Sequence, residues 1–274
     1  MGRLIYSCYY YYIIGAQLGK PNYDNFMNKH FSPTAFKARL FVTGTLSAGQ
    51  MLDLAPEQAR RLASVLRLSA GDSVKLFNGV DGEWSGVIES LGKNSARVLL
   101  ENMVREQIAS SGPWLVFSPV KKSRLDMIIE KATELGVARL IPVITERTES
   151  RRVNLDRLRA QTIEAAEQCE RLDIPQIDEP LKLEKLAISW PTDRKLLVCA
   201  ERIGAPPLAT VLTQNAALFA ILVGPEGGFE KGELDWIINQ PISVAVGLGP
   251  RILRTETAAI AALTLLQALS GDWQ

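Results

Sequence analysis

The sequence predicts an α/β protein of two domains, a small β-barrel or sandwich followed by a mainly parallel sheet covered by helices. Its 274 residues exceed one typical domain and fall short of three. Between residues 39 and 103 short alternating runs are separated by Gly, Asn and Asp turns, whereas from Trp114 onward apolar strands alternate with helical spacing. With 47% hydrophobic and 22% charged residues the chain can bury a core, and 31 Lys+Arg against 30 Asp+Glu leave no net charge that announces a nucleic-acid partner.

Residues 1–37 read unlike the rest. The run Tyr9-Tyr-Tyr-Tyr-Ile-Ile14 is far too short to span a bilayer, and a signal peptide is disfavoured by a single nearby positive charge and no clean small-residue cleavage site. An extension, disordered or loosely docked, is expected. The only histidine, His30, lies in it, which leaves no Ser-His-Asp triad or histidine-based metal site elsewhere. Cys8, Cys169 and Cys199 are odd in number and form no C-x-x-C pair, which suits a reducing cytoplasm.

In the first domain, Val74-Lys-Leu-Phe77, Glu83-Trp-Ser-Gly-Val-Ile88 and Ala96-Arg-Val-Leu-Leu100 read as strands, joined by the turn chemistry of Asn78-Gly-Val-Asp-Gly82 and Gly92-Lys-Asn94. One helix interrupts them, because Ala59, Leu62, Ala63 and Leu66 recur at helical spacing after Pro56. Residues 101–112 form a polar connector.

Trp114-Leu-Val-Phe117 is the first strand of the second domain. A helix follows whose Leu125, Ile128, Ile129, Ala132 and Leu135 make one apolar stripe, closed by Gly136. Leu140 to Ile144, Lys195 to Cys199, Leu218 to Val223 and Ser243 to Val246 complete five strands, with a helix from Leu155 to Glu170 among them. The last helix carries Ile260, Leu263, Leu266 and Leu269, a stripe that serves either a subunit interface or inward packing.

Two of these strands run into glycine-rich loops, Gly224-Pro-Glu-Gly-Gly-Phe229 and Gly247-Leu-Gly-Pro-Arg-Ile-Leu-Arg-Thr-Glu-Thr-Ala258. Ligands in open α/β sheets bind at the carboxyl ends of strands, where glycines let the backbone approach closely. A tight turn is the plainer reading. The first loop lacks the Lys-Ser/Thr ending of a P-loop and opens its helix with Glu230 and Glu233, so a cationic or zwitterionic ligand fits better than an anion. The second has Ile252 where a dinucleotide fingerprint has its third glycine, and a single helix follows it. A nicotinamide or flavin enzyme is therefore disfavoured. Three basic clusters, Arg60, Arg61 and Arg67, then Lys121, Lys122 and Arg124, then Arg147, Arg151 and Arg152, would track a phosphate backbone if gathered on one face, and otherwise are solvated surface runs.

The two loops, together with Arg39-Leu-Phe-Val42, Val65-Leu-Arg67 with Gly71-Asp72, Glu130-Lys-Ala-Thr-Glu-Leu-Gly-Val137 and Glu164-Ala-Ala-Glu-Gln-Cys-Glu-Arg171, resemble the RsmE family of small-subunit rRNA uridine-N3 methyltransferases of the SPOUT group. The resemblance spans about residues 38 to 273. It implies a PUA-like RNA-binding barrel over residues 38–108 and a SPOUT methyltransferase domain with a deep trefoil knot over 113–274. Members usually begin just before the Arg-Leu-Phe-Val phrase, which makes Met27 a second candidate start.

By the same resemblance the protein uses S-adenosylmethionine, whose sulfonium suits the acidic loop. Val223, Gly224, Glu226, Gly227 and Gly228 line one side of the cofactor pocket, and Gly247, Leu248, Gly249, Ile252, Leu253 and Arg254 the other. Arg254 and Glu256 are the candidate catalytic residues: Arg254 to stabilise charge on uracil as N3 loses its proton, or else to form a salt bridge with Glu256 or Glu226. Glu226, Glu256 or solvent accepts the proton. Arg60, Arg61, Arg67, Lys131, Arg147 and Arg171 are assigned to RNA; where the family commonly carries a histidine before Val65, this chain has Arg60 and Arg61. A cytoplasmic homodimer acting on rRNA or the small ribosomal subunit, with no metal and no membrane, is expected; the alternative is a non-catalytic RNA-binding protein that retains the SPOUT fold.

Overall fold

The computed structural model describes residues 36–108, 111–200, 204–214 and 218–273. Of the expected extension only Phe36 and Lys37 fall within them; Cys8, Met27 and His30 lie outside. The described residues divide into two compact units, the first holding 36–38, 51–75 and 86–99 and the second holding 39–50, 76–85 and those from 100 to 273.

The N-terminal strands are β1 (Arg39–Phe41), β2 (Met51–Leu54), β3 (Ser73–Phe77), β4 (Glu83–Leu91) and β5 (Ala96–Arg105). They form one sheet of order β1-β3-β4-β5-β2. Its end strands, three and four residues long, share no pairing, so the sheet is open where a barrel was expected. Within the first unit β2 runs antiparallel to β5, Met51 opposite Leu99 and Leu54 opposite Ala96.

The predicted helix of this region is α1 (Pro56–Arg60), which continues as a π-helical turn over Arg61–Val65. Ala59 and Leu62 are fully buried as the spacing requires, but Leu66 is 37% exposed. The wider turn, closed by the Leu66 amide on the Arg61 carbonyl at 3.0 Å, rotates Leu66 off the apolar stripe.

In the second unit the five expected strands appear as β6 (Trp114–Phe117), β7 (Arg139–Ile144), β10 (Arg194–Cys199), β11 (Leu218–Val223) and β12 (Ser243–Val246). The sequence reading missed β8 (Gln176–Ile177) and β9 (Leu181–Lys182), two residues each. The sheet order is β12-β10-β11-β6-β7-β8, with β9 also on β7, and every pairing is parallel.

Neighbouring residues along these strands point to opposite faces. Leu115, Phe117, Phe219, Ile221 and Val223 join one core, while Val116, Ala220, Leu222, Leu196 and Val198 join another. Helices α2 (Lys122–Glu134), α3 (Leu155–Cys169), α4 (Leu208–Gln214) and α6 (Thr255–Ser270) contribute to the first; α5 (Lys231–Ile238) and a 3-10 turn over Leu183–Ser189 contribute to the second. Asn154 caps α3 by accepting the Arg157 amide at 3.0 Å. Of the α6 stripe, Leu263 and Leu266 are buried in the core and Leu269 packs against it, so inward packing accounts for these three. Among the described residues no helix is long and apolar enough to cross a membrane, and no group of three or more His, Cys, Asp or Glu is placed to hold a metal ion.

A buried charge network fixes strand β1 to α3 within this unit. Arg39 donates from Nε to Glu83 Oε1 at 2.6 Å and from its two terminal nitrogens to the Ala166 and Arg171 carbonyls at 2.7 Å. Arg105 grips the same carboxylate, from Nε to Oε2 and from Nη2 to Oε1, both at 2.9 Å. Burial lowers the pKa of Arg39, and its bond and charge contact with Glu83 oppose that shift. Because Glu83 is completely buried, removing it strands a guanidinium away from water, a change that costs about 3–5 kcal/mol. Glu83→Ala is expected to lower the unfolding free energy in urea by about 3 kcal/mol; a loss below about 1 kcal/mol would show that the network does not hold this end of α3.

Candidate functional site

Both glycine-rich loops leave the sheet at its carboxyl edge. Because β10 lies between β11 and β12, the loops after β11 and β12 flank the end of β10, where Cys199 pairs with Val246 and Val198 with Leu222.

The loop over residues 224–230 is fixed at both ends. A side chain on Gly224 would bring its Cβ to 2.8 Å from the Phe229 ring, so the ring packs directly on that backbone. At the other end Glu230 caps α5, accepting the Gly232 amide at 2.6 Å, while Glu233 accepts the Glu230 amide at 3.2 Å and the Glu146 amide at 2.8 Å. The Gly232 amide, then that of Lys231, hold the Glu230 carboxyl below the usual carboxylate range, and the Arg147 charge adds to this. Arg147 itself donates to the Gly227 carbonyl at 3.1 Å.

The loop over residues 247–254 is anchored only at its start, where Gly247 donates to the Pro206 carbonyl at 2.9 Å and accepts the Leu208 amide at 3.0 Å. Beyond it the amides of Leu248, Gly249, Arg251, Ile252 and Leu253 donate to no protein acceptor among the described residues. Thr255 then ties the two loops together, its hydroxyl donating to the Gly224 carbonyl at 3.1 Å.

Between the loops lies a cavity of about 460 Å³ whose walls include Val223, Gly224, Glu226, Gly227, Gly228, Ile252, Leu253 and Arg254. An adjoining one of about 300 Å³ is lined by Gly247, Leu248 and Gly249, and the two share Cys199, Ala200, Ile252, Leu253 and Ala258. All eleven residues that the resemblance assigns to a cofactor pocket are thus brought to one place. Gly228 and Gly249 have φ of +69° and +101°, and among the described residues, their own chain neighbours aside, nothing lies within 4 Å of where their Cβ atoms would stand.

The charged groups arrange themselves differently from the expectation. Arg254 is exposed at the N-terminus of α6, and among the described residues no acceptor pairs with its guanidinium. The carboxylates considered as its salt-bridge partners belong instead to Arg124, whose Nη1 donates to Glu226 Oε1 at 2.6 Å and whose Nε stands 3.7 Å from Glu256 Oε1. Glu226 is on the cavity wall; Glu256 is not among its lining residues. Arg124 appeared in the sequence only as one member of a basic cluster. The signal that sets it apart is its place in the first turn after β6, the strand beside β11.

The residues assigned to RNA fall into two groups. Arg171 is turned to Asp173, at 2.8 Å from its Oδ2, and to the Thr133 carbonyl at 2.8 Å, and Lys131 is held by Glu130 and Glu134 at 2.7 and 2.9 Å. Arg147 lines the cavity, and in the first unit Arg60 is exposed beside Glu57, with Arg61 next to it and Arg67 exposed at φ 55°.

Comparison with known proteins gives a consistent result. Residues 54–101 match the RNA methyltransferase PUA domain and residues 111–267 the RNA methyltransferase domain. The ribosomal RNA small subunit methyltransferase E of Rickettsia conorii is 32% identical over 237 residues, covering 85% of this chain and 96% of that protein. Its counterpart in Synechocystis is 34% identical over 225 residues, covering 79% and 72%. The crystal structure of the Neisseria gonorrhoeae ribosomal RNA small subunit methyltransferase E bound to S-adenosyl methionine superposes with a TM-score of 0.78 at 29% identity, covering 86% of this chain and 99% of that one.

Cys199 lines the cavity. Burial pushes its thiol up to about 12, which disfavours the reactive thiolate at pH 8. Iodoacetamide at that pH, with sites mapped by mass spectrometry, is expected to label Cys199 only after urea unfolding. Rapid labelling of the native protein would reveal an open, reactive thiol instead.

Proposed function

We propose for this chain, which belongs to the family of ribosomal RNA small subunit methyltransferase E, the transfer of a methyl group from S-adenosylmethionine to N3 of a uridine in small-subunit ribosomal RNA. The observation that carries the proposal is the pair of glycine loops around one cavity, with a row of unbonded amides on one side and an unpaired arginine at its mouth.

The residues fit this cofactor. The amides between Leu248 and Leu253 are free to bond the adenine edge, and Val223, Leu248, Ile252 and Leu253 supply apolar faces for the ring. Bound there, S-adenosylmethionine supplies an electrophilic methyl group on a sulfonium. The chain's own task is to make N3 nucleophilic. A neutral imide nitrogen has its lone pair committed to the carbonyls, so the proton must leave and the charge that appears on oxygen must be stabilised. Arg254 takes that second role, its fork of donors matching an imide anion. Glu226, on the wall, is the carboxylate that reaches the cavity, with solvent as the other proton acceptor; Glu256 stands behind it, against Arg124.

Residues 38–108 are assigned to RNA and residues 113–274 to methyl transfer, a division supported by the two domain matches. Arg60, Arg61, Arg67 and Arg147 are proposed as RNA contacts on their position: Arg60 and Arg67 are exposed with Arg61 beside them, and Arg147 lines the cavity, although Arg60 also pairs with Glu57 and Arg147 with the Gly227 carbonyl; Arg171 and Lys131 are held by acidic neighbours. The same kinship implies a deep trefoil knot, which the pairing of β12 with β10 rather than β11 supports. A homodimer belongs to this reading too, as does a place in the cytoplasm beside the ribosome, and light scattering tests the dimer.

Calorimetry is expected to show S-adenosylmethionine binding that Gly228→Val and Gly249→Val abolish, because a branched side chain at these φ angles fills the space where backbone and ligand meet. Wild-type affinity in both folded variants would remove the pocket. Arg254→Ala is expected to slow single-turnover methylation about a hundredfold with a much smaller change in cofactor affinity, and raising the pH is expected to restore part of the rate by supplying more N3 anion. A wild-type rate in this variant would leave Arg254 a scaffold residue.

A further inference from the structure

Arg124 stands in the first turn of α2, on the wall of the cavity. One guanidinium there joins three elements: its own helix, the loop after β11 through Glu226 at 2.6 Å, and the first turn of α6 through Glu256 at 3.7 Å. Glu256 is 8% exposed, and its Oε2 is buried without a hydrogen-bond partner among the described residues. Burying a carboxylate oxygen without a partner is costly unless a cation stands beside it. Arg254 stands near the same groups: it caps α6 two residues before Glu256 and shares the cavity wall with Glu226. Nevertheless both carboxylates pair with Arg124 and none pairs with Arg254.

We infer that Arg124 is a positioning residue for methyl transfer, which by engaging Glu226 and Glu256 keeps the Arg254 guanidinium unpaired and open to the cavity. A guanidinium bound to a carboxylate has most of its field cancelled at the distance of a substrate oxygen, and it must break that pair before it can stabilise new charge. A preorganised, uncommitted cation avoids both costs. The planar fork of an arginine can meet two carboxylates along different edges, where a lysine offers one point charge. The role inferred for Arg124 requires no contact with the reacting atoms and passes through Arg254.

This role rests on the one proposed for Arg254, and a double-mutant cycle separates the two. Arg124→Gln is expected to slow single-turnover methylation about tenfold in the wild-type background and less than about twofold in the Arg254→Ala background, because the residue it serves is already gone. Calorimetric affinity for S-adenosylmethionine is expected to stay within about threefold of wild type. Labelling by phenylglyoxal gives a reading independent of catalysis: without cofactor or RNA, Arg254 is expected to react several-fold more slowly in Arg124→Gln, as Glu226 or Glu256 turns to it. Arg124→Lys, which keeps the charge without the fork, is expected to fall between, and it carries the same cycle should Arg124→Gln fail to fold. Equal losses from Arg124→Gln in both backgrounds, or unchanged labelling of Arg254, would overturn the inference while leaving the role of Arg254 intact. A wild-type rate for Arg254→Ala alone would instead remove both.

Discussion

The site depends on one topological constraint, the insertion of β10 between β11 and β12. In a parallel sheet every strand delivers its following loop to the same edge, and two loops share a cavity only when their strands are close neighbours at that edge. Here β11 and β12 are consecutive in sequence yet stand on opposite sides of β10, so their loops face each other across the ends of Cys199 and Val198. Everything that follows is fastened to this arrangement. Pro206 and Leu208 bond Gly247 on one side, Thr255 bonds Gly224 on the other, and α6 starts where the loops are tied. The burial of Leu263 and Leu266 in the core then fixes the direction of α6, and with it the place of Arg254 at its first turn.

Two kinds of electrostatics meet in the cavity and they have separate sources. Toward Leu248 and Leu253 the polar groups are backbone amides, whose dipoles give direction, together with Arg251. Toward Glu226 they are full charges held in a fixed sequence of contacts: Arg147 on the Gly227 carbonyl and near Glu230, Arg124 on Glu226 and Glu256, and Arg254 on no acceptor among the described residues. A row of free, directional amides suits recognition of a heterocycle. An uncompensated cation suits a reaction in which negative charge appears on the substrate. The two kinds of group are thus divided along the loop after β12, with free amides through its middle and a guanidinium at its last residue, where the helix starts.

Much of this was legible in the sequence, for a physical reason in each case. Five strands and the long helices announced themselves because their apolar residues recur with the period of the element, and the glycine loops because they stand at the ends of two of those strands. Elements of two residues such as β8 and β9 carry no period. The π-helical turn after α1 was hidden because the spacing of Ala59 and Leu62 fits an α-helix equally well, and only the exposure of Leu66 betrays it. Nor could alternation along the N-terminal strands reveal that their sheet stays open, since closure depends on how far the two end strands extend. The role of Arg124 depends on sheet order, a long-range property. Arg171 shows the same limit locally: Glu170, with φ of 62°, reverses the chain just before it, and its guanidinium is directed to Asp173 rather than outward along the helix.

Glycines that look alike in the sequence do three different things in these loops. At Gly224 a side chain is excluded by the protein itself, since the Phe229 ring occupies the place of a Cβ. Gly247 lies close to the Ala205 carbonyl and serves the bond that lashes its loop to the segment before α4. Gly228 and Gly249 are different: their backbones take a left-handed conformation, yet no protein atom lies near the missing side chain. Packing therefore explains the first two and cannot explain why the second pair should face empty space from both loops. A left-handed conformation is what a tight turn asks of glycine, and the Gly228 amide closes such a turn on the Pro225 carbonyl at 2.9 Å. Turn geometry thus accounts for the bend, while the open side of these two residues, unlike the crowded side of Gly224, leaves room on the cavity walls for a ligand to meet bare backbone.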